Sequence, residues 1–82
     1  MTPGKETKAM APREVREAYR SVSSAAAMAE RHKHWYEAAK YWREAKGLAT
    51  TQADRDHCQR RNDFCTNQHK RMIQEIQNGL DN

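Results

Sequence analysis

The sequence is short of the material from which an independent core is built. Of its 82 residues, 37% are hydrophobic and 7% aromatic, with two Trp, three Tyr and one Phe. Setting Met1 aside, the large apolar side chains are Met10, Val15, Tyr19, Val22, Met28, Trp35, Tyr36, Tyr41, Trp42, Leu48, Phe64, Met72, Ile73, Ile76 and Leu80. A chain this short buries a smaller share of its surface than a larger domain, and it leans on staples, metals or self-association when apolar residues are few. The expectation is an oligomer, a module completed by a partner, or low stability. Three Gly and two Pro leave few breaks, which points to long regular helices in one domain and excludes a multidomain enzyme. Two cysteines do not make a disulfide framework. Cys58 and Cys65, separated by about 10 Å along a helix, lie beyond the reach of a bridge and read as reduced thiols. Between Met1 and Ala11 there is no apolar stretch to serve as a signal peptide, and no window approaches the roughly twenty apolar residues that span a bilayer. The expected location is the cytoplasm, without a membrane partner.

Charge is present but unevenly spread. Fifteen Lys and Arg stand against eleven acids, a net charge of +4. Residues 1–46 carry ten bases and six acids, and residues 47–82 carry five of each. Such a field draws nucleic acid, acidic proteins or anionic surfaces without specifying a fold. Interleaving dilutes it: Arg13-Glu14, Arg16-Glu17, Glu30-Arg31 and Arg43-Glu44 read as a solvated helix surface, whereas dedicated DNA-binding domains cluster their bases.

Residues 1–11, with Pro3 and Gly4 and little to bury, read as a mobile arm. Residues 12–82 read as a single helical domain. Pro12 suits a first helical turn, because its missing N–H would have had no partner there. Val15, Tyr19, Val22, Ala26 and Ala29 then step by fours and threes, the stripe of a first helix over about 13–32. The run Ser23-Ser24-Ala25-Ala26-Ala27-Met28-Ala29 is small enough to let another backbone approach closely. Trp35, Ala38, Ala39, Trp42, Ala45 and Ala49 form a second stripe, placing a helix over about 34–49. Only Arg31 to His34 separate the two stripes, so the helices are expected antiparallel and adjacent. With no Gly there, one of His32, Lys33 and His34 has to adopt a left-handed conformation. After Gly47, Thr50 or Thr51 can act as an N-cap, Thr51 having Asp54 three residues on at capping-box spacing, and a third helix follows over about 52–79. At some 25 residues or more it outruns its partners, so Met72 to Leu80 projects as an apolar edge suited to a dimer seam or a docking surface. The fold expected is all-α: an antiparallel hairpin plus a longer C-terminal helix, dimeric through that helix.

Chemistry finds little purchase. Cys65 with His69 one turn on is the nearest approach to a nucleophile and base, but no orienting acid, oxyanion hole or phosphate loop accompanies it. His57, Cys58, Cys65 and His69 are soft ligands that a straight helix cannot aim at one point. No catalytic residue, metal, cofactor or small-molecule substrate is therefore expected. Trp35 and Trp42, seven apart on one face, and Phe64 are expected to hold the fold. Tyr36 points away from that face, and Tyr41 lies on its flank beside Ala45 and Leu48; exposed aromatics beside Lys40 and Arg43 can anchor a protein or stack on bases.

At Ala25-Ala26-Ala27-Met28-Ala29-Glu30-Arg31, then Trp35-Tyr36-Glu37-Ala38-Ala39-Lys40-Tyr41-Trp42-Arg43-Glu44-Ala45, then Arg55 through Cys65, the sequence resembles the ANR family, small bacterial and phage regulators named as AraC negative regulators. Ala26, Ala27, Glu30, Trp35, Ala38, Ala39, Trp42, Ala45, Arg61 and Cys65 stand at the positions of the family pattern, over about residues 24–65. The chain departs from the pattern at the first turn, where the family often has Gly, and at Asp54 and His57, where it often has Asn and Trp. The resemblance implies a non-enzymatic repressor that binds an AraC/XylS-type activator and blocks its dimerisation or DNA engagement, lowering expression of virulence or colonisation genes. Tyr36, Tyr41, Met72, Ile73 and Ile76 are the candidate contacts to that partner. The alternative is a direct DNA-binding regulator like the PerC-type proteins, which resemble the same region, with Lys40, Arg43, Arg60 and Arg61 on the nucleic acid.

Overall fold

The computed structural model describes residues 10–81, and among them the chain is three α-helices with no strand. The expected arm lies, for residues 1–9, outside the described residues. Met10 and Ala11 are exposed and precede the first helix.

Helix α1 runs Pro12–Arg31. Pro12 occupies its first turn, and the Glu14 carboxylate reaches back to accept the Ala11 N–H at 3.0 Å, satisfying a donor that the helix leaves without a partner. At its other end the chain turns on Lys33, whose φ of 60° is the left-handed conformation expected somewhere in this Gly-free turn. Two hydrogen bonds lock it: Lys33 N–H to Glu30 O at 2.9 Å and His34 N–H to Ala29 O at 2.9 Å. Together they form a Schellman motif, the usual home of Gly, here occupied by Lys.

Helix α2 runs Trp35–Leu48. Its opening turn closes through Ala38 N–H to His34 O at 2.9 Å, and Ala49 leaves it in an extended conformation. Helix α3 runs Gln52–Asp81, about 45 Å at the normal rise per residue. Thr51 caps it as its spacing predicted, Oγ1 accepting the Asp54 N–H at 3.1 Å. The Arg55 guanidinium donates to Ala49 O at 3.2 Å and fastens the short connection to the helix it precedes.

Helix α2 packs against both α1 and α3. The buried layer between them consists of Ala26 and Ala29 from α1, Ala38, Ala39, Trp42 and Ala45 from α2, and Cys58 and Cys65 from α3. Apart from Trp42, every member is Ala or Cys, so the helices are held by close backbone approach rather than by interlocked large side chains. Tyr19, Val22, Trp35 and Tyr41 pack partly buried around this layer. The Asn62 amide donates to Ala39 O at 2.8 Å, a side-chain bond to a helix backbone that close approach permits. Phe64 does not take the core role expected of it: it is 39% exposed. One residue before buried Cys65, it is turned about 100° off the buried line of α3, where its ring meets Trp35 edge-on at 5.8 Å.

Among the described residues no helix is long and apolar enough to cross a membrane.

Candidate functional site

Three features of the surface and its supports bear on function: a polar node joining the helices, a cationic cleft between α2 and α3, and the outer end of α3.

The node is centred on Glu30, near the end of α1. Its Oε2 accepts the Trp42 indole N–H at 2.6 Å and the Arg61 Nε–H at 3.1 Å, while a second Arg61 nitrogen donates to Oε1. One carboxylate thus takes donors from α2 and α3. Partial desolvation alone would raise the Glu30 pKa, but the hydrogen bonds from Arg61 and Trp42 outweigh it and hold the carboxyl below its ordinary value of 4.5. The same bond to Glu30 raises the Arg61 pKa against the opposing effect of its burial. Arg61 also lies over the Phe64 ring, 4.6 Å from its centre, a cation–π contact. The His57 ring stands edge-on to Trp42 at 5.3 Å.

Both thiols are free, buried and unsuited to nucleophilic work. Burial, reinforced by the neighbouring Glu30 carboxylate, pushes the Cys65 thiol up to about 12, so it stays protonated where a reactive cysteine would be a thiolate. Burial also pushes Cys58 up, although its hydrogen bond with Tyr19 opposes the shift. The Cys58 thiol and the Tyr19 hydroxyl meet at 3.7 Å. Tyr19 is itself raised to about 12, by burial first and by Cys58 second. His57, Cys58, Cys65 and His69 lie against different neighbours, and among the described residues no group of three or more His, Cys, Asp or Glu is arranged to hold a metal ion.

The cationic cleft has a volume of about 180 Å³ and is bounded by Tyr36, Lys40 and Arg43 from α2 and by Thr66, His69 and Lys70 from α3, with Ala39 in its wall. Tyr36 is 63% exposed, and its ring leans against His69 at 5.6 Å between centres. His69 Nδ1 is enclosed and has no hydrogen-bond partner among the described residues.

The outer end of α3 is exposed at every position from Arg71 to Leu80. Met72, Ile73, Ile76 and Leu80 are 37%, 40%, 53% and 80% exposed, an apolar group that starts at Met72, beside Lys33 and Trp35, and continues along the outer end of α3.

The structure therefore separates residues that sequence reasoning grouped together. Among the candidate partner contacts, Tyr36 belongs to the cleft and Met72, Ile73 and Ile76 to the outer end of α3. Tyr41 packs instead against the core, because it lies three residues after Ala38 and four before Ala45, both buried. Among the candidate nucleic-acid residues, Lys40 and Arg43 line the cleft, and Arg61 is engaged by Glu30. Arg60 is exposed, about 200° around α3 from buried Cys58. Thr66, His69 and Lys70 completed the cleft without being foreseen, since only the packing of α3 on α2 brings them beside Tyr36. No protein-family model matches the chain, and neither curated proteins nor solved structures gave a match.

Proposed function

We propose that this protein is a non-enzymatic regulator that works through protein–protein contacts, in the manner of the ANR proteins it resembles. In this reading α1 and α2 are an antiparallel hairpin closed by α3, the protein acts in the bacterial cytoplasm, and its partner is an AraC/XylS-type transcription activator. Binding blocks dimerisation or DNA engagement of the activator and represses the virulence or colonisation genes that it controls. The observation that carries the reading is the exposed apolar end of α3, Met72, Ile73, Ile76 and Leu80. Such an exposed apolar group is the kind of surface that a macromolecular partner covers, and a second copy of the chain is the other occupant that the reading includes. The positions that carry the resemblance supply a supporting argument. Glu30, Trp42, Arg61 and Cys65, far apart in sequence, converge on one node, as expected if the shared pattern encodes a scaffold and leaves the partner surface free to vary.

The test is co-purification of the tagged protein with AraC-type activators, beside light scattering of the protein alone. The Ile73→Lys and Ile76→Lys double variant should keep its helical spectrum and melting temperature, since both side chains lie outside the buried layer, while losing the activator and any self-association. Retention of both in the variant refutes the assignment of this surface. Direct DNA binding is the second reading, favoured by the cations Lys40 and Arg43 in the cleft and Arg60 outside it. It requires affinity that falls steeply with salt. Arg60→Ala is its cleaner probe, because Arg61→Ala also breaks the bond to Glu30.

A further inference from the structure

The cleft between α2 and α3 combines features that a solvated helix surface does not need. Lys40, Arg43 and Lys70 converge on it from two helices. Among the described residues the only ion pair is Glu30 with Arg61, so none of the three cations is in direct contact with a carboxylate there, although Glu37 and Glu44 lie within a turn of Lys40 on α2. Concentrating unpaired like charges around a concavity costs repulsion that an anion would relieve. Within the rim the walls are apolar or amphipathic: the Tyr36 ring, the Ala39 methyl and the aliphatic stems of the cations. His69 lines the same hollow with its enclosed Nδ1 unpartnered.

We infer that this cleft is a receptor for an acidic peptide segment that places one apolar side chain in the hollow and carboxylates against Lys40, Arg43 and Lys70. The volume of about 180 Å³ suits a single inserted side chain rather than a drug-sized ligand, for which pockets run from about 300 Å³ upward. The cations fit a compact acidic segment better than a nucleic-acid backbone, because the remaining candidate phosphate contacts are elsewhere: Arg61 is held by Glu30 and Arg60 lies on the outward side of α3. The inference deepens the partner-binding reading, on which it rests for the peptide nature of the ligand, and it assigns the cleft a role distinct from that of the α3 end.

The probe is a fluorescein-labelled peptide with a central Leu flanked by two Glu on each side, followed by fluorescence polarisation with the full-length protein. Saturable binding is expected. It should weaken at least tenfold in the combined Lys40→Ala, Arg43→Ala, Lys70→Ala variant, and several-fold when the peptide's Leu becomes Ala. Tyr36→Ala, at an exposed position, is a second variant expected to weaken binding without disturbing the fold, and in the wild-type protein the ring resonances of Tyr36 and His69 should shift on titration. No binding, or equal affinity in Tyr36→Ala and the combined variant, overturns the inference. So does displacement of the peptide by inorganic phosphate alone, which removes the need for an apolar anchor, or preferential, steeply salt-dependent binding of a DNA duplex at the same residues. If the peptide fails while an AraC-type activator still co-purifies with the wild-type protein, the cleft assignment falls and the regulator reading stands; if the peptide binds while no activator does, the reverse holds.

Discussion

At Glu30 a single carboxylate joins three helices, taking donors from Trp42 on α2 and Arg61 on α3. Glu30→Gln keeps an oxygen for the indole N–H and removes the charge that Arg61 faces. Because the Arg61 side chain is about one-third exposed, water compensates part of the loss, and the expected cost is about 1–2 kcal/mol at neutral pH, read from urea denaturation. The folded-state pKa of Glu30 is depressed, so its contribution is fully present above about pH 4.5 and lost as the pH falls through the folded value. The gap between wild type and Glu30→Gln should therefore close in acid; a gap of equal size at pH 3 and pH 7 would show that charge is not what Glu30 contributes. The sequence made Trp42 legible through its spacing from Trp35 and the small residues between them. It could not reveal the Glu30 link, since the partners lie 12 and 31 positions away. Phe64 departs from its expected role for a related reason: a helical stripe names a face but not how far around it the neighbouring helices reach.

At the level of elements, the turn between α1 and α2 is the clearest local conflict. The seat of Lys33, φ 60°, costs a residue with a Cβ roughly 1–2 kcal/mol, and Gly would occupy it freely. Lys33→Gly should raise stability by about 0.5–1 kcal/mol, part of the gain being offset by the greater freedom of Gly in the unfolded chain. Thermal unfolding checks this, and a lower melting temperature would mean that the Lys33 side chain makes a contribution of its own. The need for such a residue was readable from a connection too short to turn otherwise and lacking Gly. The Thr51 cap and the small-residue faces of α1 and α2 were equally readable, because they are encoded within a few residues. The α2–α3 cleft was not: Tyr36 and His69 become neighbours only through the packing of two helices, and no local pattern carries that register.

Taken whole, the molecule has a window of pH in which its buried groups sit in their preferred states. Tyr19 and Cys65 are each raised to about 12 from ordinary values of 10 and 9, and Cys58 is raised as well. All three stand in the protonated, neutral form, the two thiols buried and Tyr19 partly buried beside Cys58. Above about pH 9 the unfolded chain releases these protons before the folded one, so stability is complete below that point and falls as the pH rises towards 12. The urea midpoint should decline steadily from pH 9 to 11, and Cys65→Ala should make the decline shallower; a level midpoint over that range would contradict the burial of these groups.

A layer of Ala, Cys and one Trp has a thermal consequence. Burying Ala restricts no rotamers, and its small apolar area orders little water when the chain opens. Calorimetry should accordingly record a heat-capacity increment below the usual ~12–15 cal/mol/K per residue. The free energy of unfolding would then vary gently with temperature, giving a low, wide dome whose melting is gradual and whose loss of stability on chilling is slight.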